Sequence, residues 1–362
     1  MEDNLDIDTN TSAINDDISS NKNKNQSILS KNQMLIALII IVIIIIIFLS
    51  IIILLILFSP KEEETFGEIN CVFFVKNNSE YINLLNENYN NSNLKILVDG
   101  LPISFSKQIK FDSLGRHKIK FEIKENKLNM KNMFKNVVSL NSVELKTEKN
   151  INIESFESAF ENCSNLENFI ISGFNTQNII SFKKSFCSTN LKEFDFSLFE
   201  SNKIEDLSYA FANSENLETI NFGSLNTTNV KNVSNMFYNC KNIQYFNLSS
   251  LNTENIEDMS SLFESCESLT SIDLTSFKTN KVKNMSKIFR GCCSLQDINL
   301  SNLNTENLED MNSMFERCES LIFINISTFQ TNKLKNMSNL FNGCTLLENL
   351  DKIGRASCRE RV

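Results

Sequence analysis

Six cysteines, Cys163, Cys240, Cys266, Cys292, Cys318 and Cys344, stand at one recurring position of the chain, where thiols could bind metal, crosslink or do redox chemistry. A zinc site needs ligands paired two to four residues apart, and only the adjacent Cys292 and Cys293 come near that spacing. Residues stacked in one column point their Cβ vectors in parallel, whereas a disulfide needs them to converge. Buried structural thiols are therefore expected, with disulfides as the alternative. Acid–base chemistry has little to draw on: the chain has one histidine, His117, no Trp, and no Gly-rich phosphate loop of the Walker or dinucleotide type. A lone histidine reads as structural, so no catalytic, cofactor-binding or metal-ligating residue is expected. A net charge of -9 and the lack of a Lys/Arg cluster argue against nucleic acid as a partner.

The cysteine column belongs to a wider repeat. Phe134, Phe160, Phe186, Phe211, Phe237, Phe263, Phe289, Phe315 and Phe341 are 26 residues apart except for one step of 25 between Phe186 and Phe211. Leu140, Leu166, Leu191, Leu217, Ile243, Leu269, Leu295, Leu321 and Leu347 open each unit. Apolar residues next to this start alternate with polar ones, as in Leu295, Ile298 and Leu300, and predict a short strand. Those further on, such as Leu308, Met311, Met314, Phe315 and Cys318, step by threes and fours and predict about two turns of helix. One strand and one helix cannot bury their apolar faces alone, so the copies must stack, with every Phe of the column in one core. Strands pack about 4.7–4.9 Å apart and helices roughly 8–10 Å, which would make the strand side concave.

The run Leu-x-x-Ile-x-Leu-Ser-x-Leu-Asn-Thr, followed by Val-x-x-Met-Ser-x-Met-Phe-x-x-Cys-x-x-Leu, resembles the BspA-like leucine-rich-repeat family of microbial surface proteins from about Leu128 to Leu350. The resemblance implies an α/β leucine-rich-repeat solenoid and a non-enzymatic surface protein of adhesion or host-interaction type, with a protein or glycan as ligand. It carries over no catalytic residue. On the outward strand face the candidate ligand-binding residues are Tyr245, Asn247, Asp273, Asn299, Phe323 and Asn325, with the two aromatics as anchors. The alternative is that these polar columns form hydrogen-bond ladders that merely solvate the sheet. Asn247, Asn299 and Asn325 also head Asn-x-Ser sequons, and glycans there would mask the face.

Composition divides the rest. Residues 1–33 are polar and read as a disordered cytoplasmic tail, residues 34–58 as a transmembrane helix, 59–126 as a linker and small β-rich cap, and 127–352 as the array. Lys22, Lys24 and Lys31 precede the span and Lys61 follows it, which places the N-terminus in the cytoplasm and the array outside the plasma membrane. In the cap, Cys71–Val75, Leu94–Val98, Ile103–Phe105 and Ile119–Ile123 are expected strands, with Asp99-Gly100 as a hairpin turn. Residues 353–362 abandon the repeat and match a translated sequencing adapter, so the natural array is expected to run on. Two functions compete with ligand recognition: a surface-coat component without a discrete ligand, and an intracellular scaffold if the topology is inverted. Finally, charge alternates from coil to coil at Glu205, Lys231, Glu257, Lys283, Glu309 and Lys335, so each charge is expected to lie between two of opposite sign.

Overall fold

An unbroken run of Ile and Leu can satisfy its backbone without water only as a helix. The computed structural model describes residues 11–57, 64–91 and 93–350, and its first unit contains one helix, Thr11–Leu57. Gln33–Leu55, 23 residues with a mean hydropathy of 3.9 in an 18-residue window, is long and apolar enough to cross a membrane; a signal sequence near an N-terminus has the same character. Ser50, the one polar residue deep in this stretch, donates its hydroxyl to the Ile46 carbonyl at 2.7 Å. The helix begins at Thr11, within the segment expected to lack order. Extending an existing helix adds one hydrogen bond per residue without a new nucleus, so a polar sequence can prolong an apolar one. Residues 1–10, the linker residues 58–63 and the adapter-like 353–362 lie outside the described residues.

The second unit is a β-solenoid. Its coils stack in register, with Asp206, Asn232, Asp258, Asn284, Asp310 and Asn336 bridged in parallel from each coil to the next. Parallel strand pairs join Leu140–Lys146 to Asn168–Ser172, Glu193–Asp195 to Thr219–Asn221, and Asp297–Ile298 to Phe323–Ile324. The Phe column fills the core: from Phe134 to Phe315 no member exceeds 1 % exposure, and Phe341 is half-buried. Successive rings stack face to face with centroids 5.3 to 6.0 Å apart.

The expected helix is not there. From Met311 to Cys318 the chain runs through consecutive tight turns, and the same holds in each coil. Alternate amides donate to the following coil, as Ser313 to the Ser338 carbonyl (2.8 Å), Phe315 to Leu340 (3.0 Å) and Arg317 to Asn342 (2.7 Å). Amides between them close three-residue turns, as Glu316 to the Ser313 carbonyl and Cys318 to that of Phe315, both 3.1 Å. Two residues per coil adopt the left-handed conformation, here Ser313 (φ 51°) and Arg317 (φ 61°), which a right-handed helix excludes. A helix would spend its amides internally and force neighbours 8–10 Å apart, about twice the strand spacing. The turn ladder lets both limbs stack at nearly one spacing, so the premise for a concave strand side is lost. Among the described residues of the array, helix is limited to one 3-10 turn, Phe196–Leu198.

The Asn-Thr loops have a concrete task. Asn226, Asn252 and Asn304 each accept the amide two residues on, fixing the bend, while buried Thr227, Thr253 and Thr279 donate to the backbone carbonyl of the next coil. At the N-terminal end, strand Gly67–Val75 pairs antiparallel with Gly115–Ile123 on one side and with Leu140–Lys146, the first repeat strand, on the other. The cap sheet thus continues the array's own ladder and covers its first coil. Asp99 (φ 48°) and Gly100 (φ 85°) form a two-residue hairpin loop, so the next strand is Leu101–Ile103 rather than Ile103–Phe105.

Candidate functional site

On the strand limb, inward residues such as Leu295 and Ile298 hold the core, and the alternating residues between them face solvent. Tyr245 is 59 % and Phe323 54 % exposed. They are three coils apart, about 14 Å along the stack, so the structure does not bring the two aromatics together. Asn247, Asp273, Asn299 and Asn325 are exposed, and each carboxamide or carboxylate oxygen accepts the amide of the residue two further on, at 2.9 to 3.3 Å. They are turn-formers within their own coils. Of the same column, Asn221 and Asp195 are joined between coils, at 3.0 Å. Thr275 holds the Asp273 carboxyl below its ordinary pKa through its hydroxyl and its amide. Beside Tyr245 a shallow cleft opens, lined by Glu218, Thr219, Asn242, Gln244 and Ser268. Sequence periodicity shows Tyr245 as an outward residue but gives no sign of this cleft, because it depends on the spacing between coils.

The cysteine column lies inside. Cys163, Cys240, Cys266, Cys292, Cys318 and Cys344 each donate Sγ–H to the carbonyl of a Phe 29 residues earlier, at 2.9 to 3.3 Å. Ser214 makes the same bond to the Phe186 carbonyl with its hydroxyl, at 2.9 Å. The column therefore satisfies one buried acceptor per coil. Burial raises these thiols' pKa values, to about 11 even at half-buried Cys344, so they stay protonated. The cysteines of the described residues are free thiols, and no group of metal-ligating side chains occurs among those residues.

His117 is buried, with Nδ1 2.7 Å from the Asp99 carboxylate and Nε2 3.0 Å from the Ser113 carbonyl. Asp99 also accepts the Lys118 amide at 2.8 Å, so the histidine pins the cap hairpin and has no nitrogen left for a substrate. Burial raises the Asp99 pKa, but the hydrogen bonds from His117 and the Lys118 amide outweigh it and lower the net value.

The charge column resolves into pairs. Lys231–Glu205 and Lys283–Glu257 close at 2.8 Å and Lys335–Glu309 at 2.6 Å, each lysine reaching back one coil. The opposite contacts, such as Lys231 to Glu257, form no ion pair among the described residues, so the ladder is not continuous. A second charged column, one residue after the Phe, was not evident from the sequence. In it Arg290 bridges Glu264 (2.8 Å) and Glu316 (3.0 Å) across three coils, and Lys135 reaches Glu161 at 2.8 Å, joined at 3.5 Å by Lys184, which lies two residues before Phe186 and outside the column. Only the Phe spacing could have exposed it, by aligning Glu264, Arg290 and Glu316 in one column.

Fold and surface together define a β-solenoid with a polar, irregularly decorated strand face, in a chain that also carries one N-terminal apolar helix. Matches to the family described as "Mycoplasma protein of unknown function, DUF285" cover residues 128–246, 205–322 and 233–353, more than half of the 362-residue chain, and the chain belongs to that family. No curated protein and no solved structure matches it.

Proposed function

We propose that this is a non-catalytic cell-surface recognition or adhesion protein, anchored by its N-terminal helix with the solenoid outside the plasma membrane. One contrast supports the reading most. Inside, each coil repeats its neighbours: Leu217, Ile243, Leu269, Leu295 and Leu321 occupy one column. Outside, the column two residues on reads Glu193, Thr219, Tyr245, Ser271, Asp297 and Phe323, a different side chain in each coil. A protein that only had to stack would have no use for such variety, whereas a rigid scaffold presenting varied side chains suits ligand recognition. The apolar helix supplies the anchor, and the lysine bias before it favours an outward array.

The test has two arms. Protease added to intact cells carrying the full chain should remove the solenoid and leave the N-terminal tail protected; protection of the solenoid would reverse the topology and favour an intracellular scaffold. The full chain in detergent should then bind a specific ligand in a panel of immobilised glycans and glycan-free surface proteins. Binding to none of them would favour a coat component.

A further inference from the structure

The strand limb is not uniform. Regular bridges pair Glu193–Asp195 with Thr219–Asn221 and Asp297–Ile298 with Phe323–Ile324, but the coils between them are unbridged on this limb, and between Thr219–Asn221 and Tyr245–Asn247 no backbone hydrogen bond joins the limbs among the described residues. The nearest is Asn242 to the Glu215 carbonyl at 3.2 Å, and the next coil is held by Thr270 to Gln244 at 3.3 Å. The turn limb of the same coils keeps its ladder, with Phe211 to Met236 and Phe237 to Leu262 at 3.0 Å.

Where neighbouring coils carry Ile220, Ile272 and Ile298, this coil carries Phe246, whose ring sits 4.7 Å from Phe237 and 4.8 Å from Phe263. In the Phe column here the rings are 5.9 Å apart from Phe211 to Phe237 and 6.0 Å from Phe237 to Phe263. A core cavity of about 20 Å³ lies beside Phe237, Leu248 and Phe263. The residue before Phe246, Tyr245, stands on the outer lip of this unbridged seam.

We propose that this seam is a saccharide-binding cleft for a neutral oligosaccharide, an inference that rests on the recognition function proposed above. The exposed Tyr245 ring offers an apolar face on which a pyranose C–H face can lie. Around it, Gln244, Thr219 and Ser268 form no side-chain hydrogen bond among the described residues, and the unbridged backbone of Tyr245 adds a donor and an acceptor. Sugar hydroxyls both donate and accept, so this mixture matches them. The one carboxylate, Glu218, and the net charge of -9 disfavour acidic sugars. A peptide strand fits less well. Inserting one would need two strand spacings, about 9.5 Å, whereas the stacked rings hold the coils 5.9 to 6.0 Å apart.

The experiment uses the full chain in a non-glycosidic detergent on an array of neutral and acidic oligosaccharides, beside a panel of glycan-free proteins. The wild type should retain neutral oligosaccharides, and Tyr245→Ala should weaken that binding about tenfold or more. Tyr245→Phe, which keeps the ring, and Phe323→Ala, three coils away, should each stay within about threefold of wild type. Equal binding by Tyr245→Ala and wild type would overturn the cleft while leaving the recognition function standing. Binding to glycan-free protein alone, or to acidic sugars alone, would overturn the ligand class. A chain that binds nothing would remove both the cleft and the broader reading. Unchanged melting midpoints in the variants confirm that the fold is intact.

Discussion

A single ring in the Phe column does two things, filling its own coil and forming the wall of the next. Phe263 has no exposed surface and stacks at 6.0 Å on Phe237 and 5.6 Å on Phe289. Phe263→Ala should therefore cost about 3–5 kcal/mol, measured by denaturant unfolding, and a loss below about 1 kcal/mol would contradict its burial. Backbone strain acts at the same scale. Ser265, two residues on, has φ 61° and donates its amide to Arg290 at 2.7 Å. Ser265→Gly should hold or raise stability, because glycine adopts that conformation freely, while Ser265→Val should lose roughly 1–2 kcal/mol. Equal effects of the two would show that the turn ladder does not need the left-handed residue.

At the scale of elements, strands were legible from alternation, and the Phe and Leu columns placed the core. The turn limb was misread because inward residues at Met311, Met314, Phe315 and Cys318 have a helix's spacing. One signal was present. The position two residues after each Phe reads Asn136, Asn162, Ser188, Asn213, Asn239, Ser265, Gly291, Arg317 and Gly343, rich in the residues that tolerate positive φ. In a helix that column would have no reason to avoid alanine and leucine. The outward position of Tyr245 was equally legible, but its cleft was not, since the cleft depends on how neighbouring coils meet rather than on any periodicity.

The paired charges give a sharper test at this scale than a continuous ladder would. Lys283→Glu should lower the melting midpoint of the array at low salt, and adding Glu257→Lys alone should restore it. If recovery also required Glu309→Lys, each charge would be coupled on both sides. High salt should shrink the single-mutant effect, because both partners are about half-exposed. The buried carboxylates respond to pH instead. Burial alone would raise Glu161, but Lys135 and Ser158 hydrogen bonds, with the Lys135 and Lys184 charges, bring it below its ordinary 4.5. A Ser313 hydrogen bond lowers Glu316 likewise, against its burial and with help from Arg290. A carboxyl depressed in the folded state contributes stability above its unfolded value, lost as pH falls through the folded one. The melting midpoint should thus fall as pH drops below about 4.5, and Glu161→Gln should flatten that fall; a profile unchanged by Glu161→Gln would place the acid sensitivity elsewhere.

Over the whole solenoid, each coil touches only its neighbours, so stability is close to a sum of coil and interface contributions, and the ends are the weak points. The cap changes this at one end. Strand Gly67–Val75 is hydrogen-bonded both to Gly115–Ile123 and to Leu140–Lys146, and buries Ile69, Cys71 and Phe73 on its inner face. The first coil therefore has a neighbour on each side. Phe73→Ala should remove about 3–5 kcal/mol of packing from the cap, and nearest-neighbour coupling makes that loss local. Amide exchange should accelerate most in Leu140–Lys146, less in Asn168–Ser172, and little at the ladder amides of Met285, Lys287 and Phe289, four or more coils away. A uniform acceleration along the array would mean that the solenoid unfolds as one cooperative unit. No change at Leu140–Lys146 would mean that the antiparallel cap covers the first coil without stabilising it.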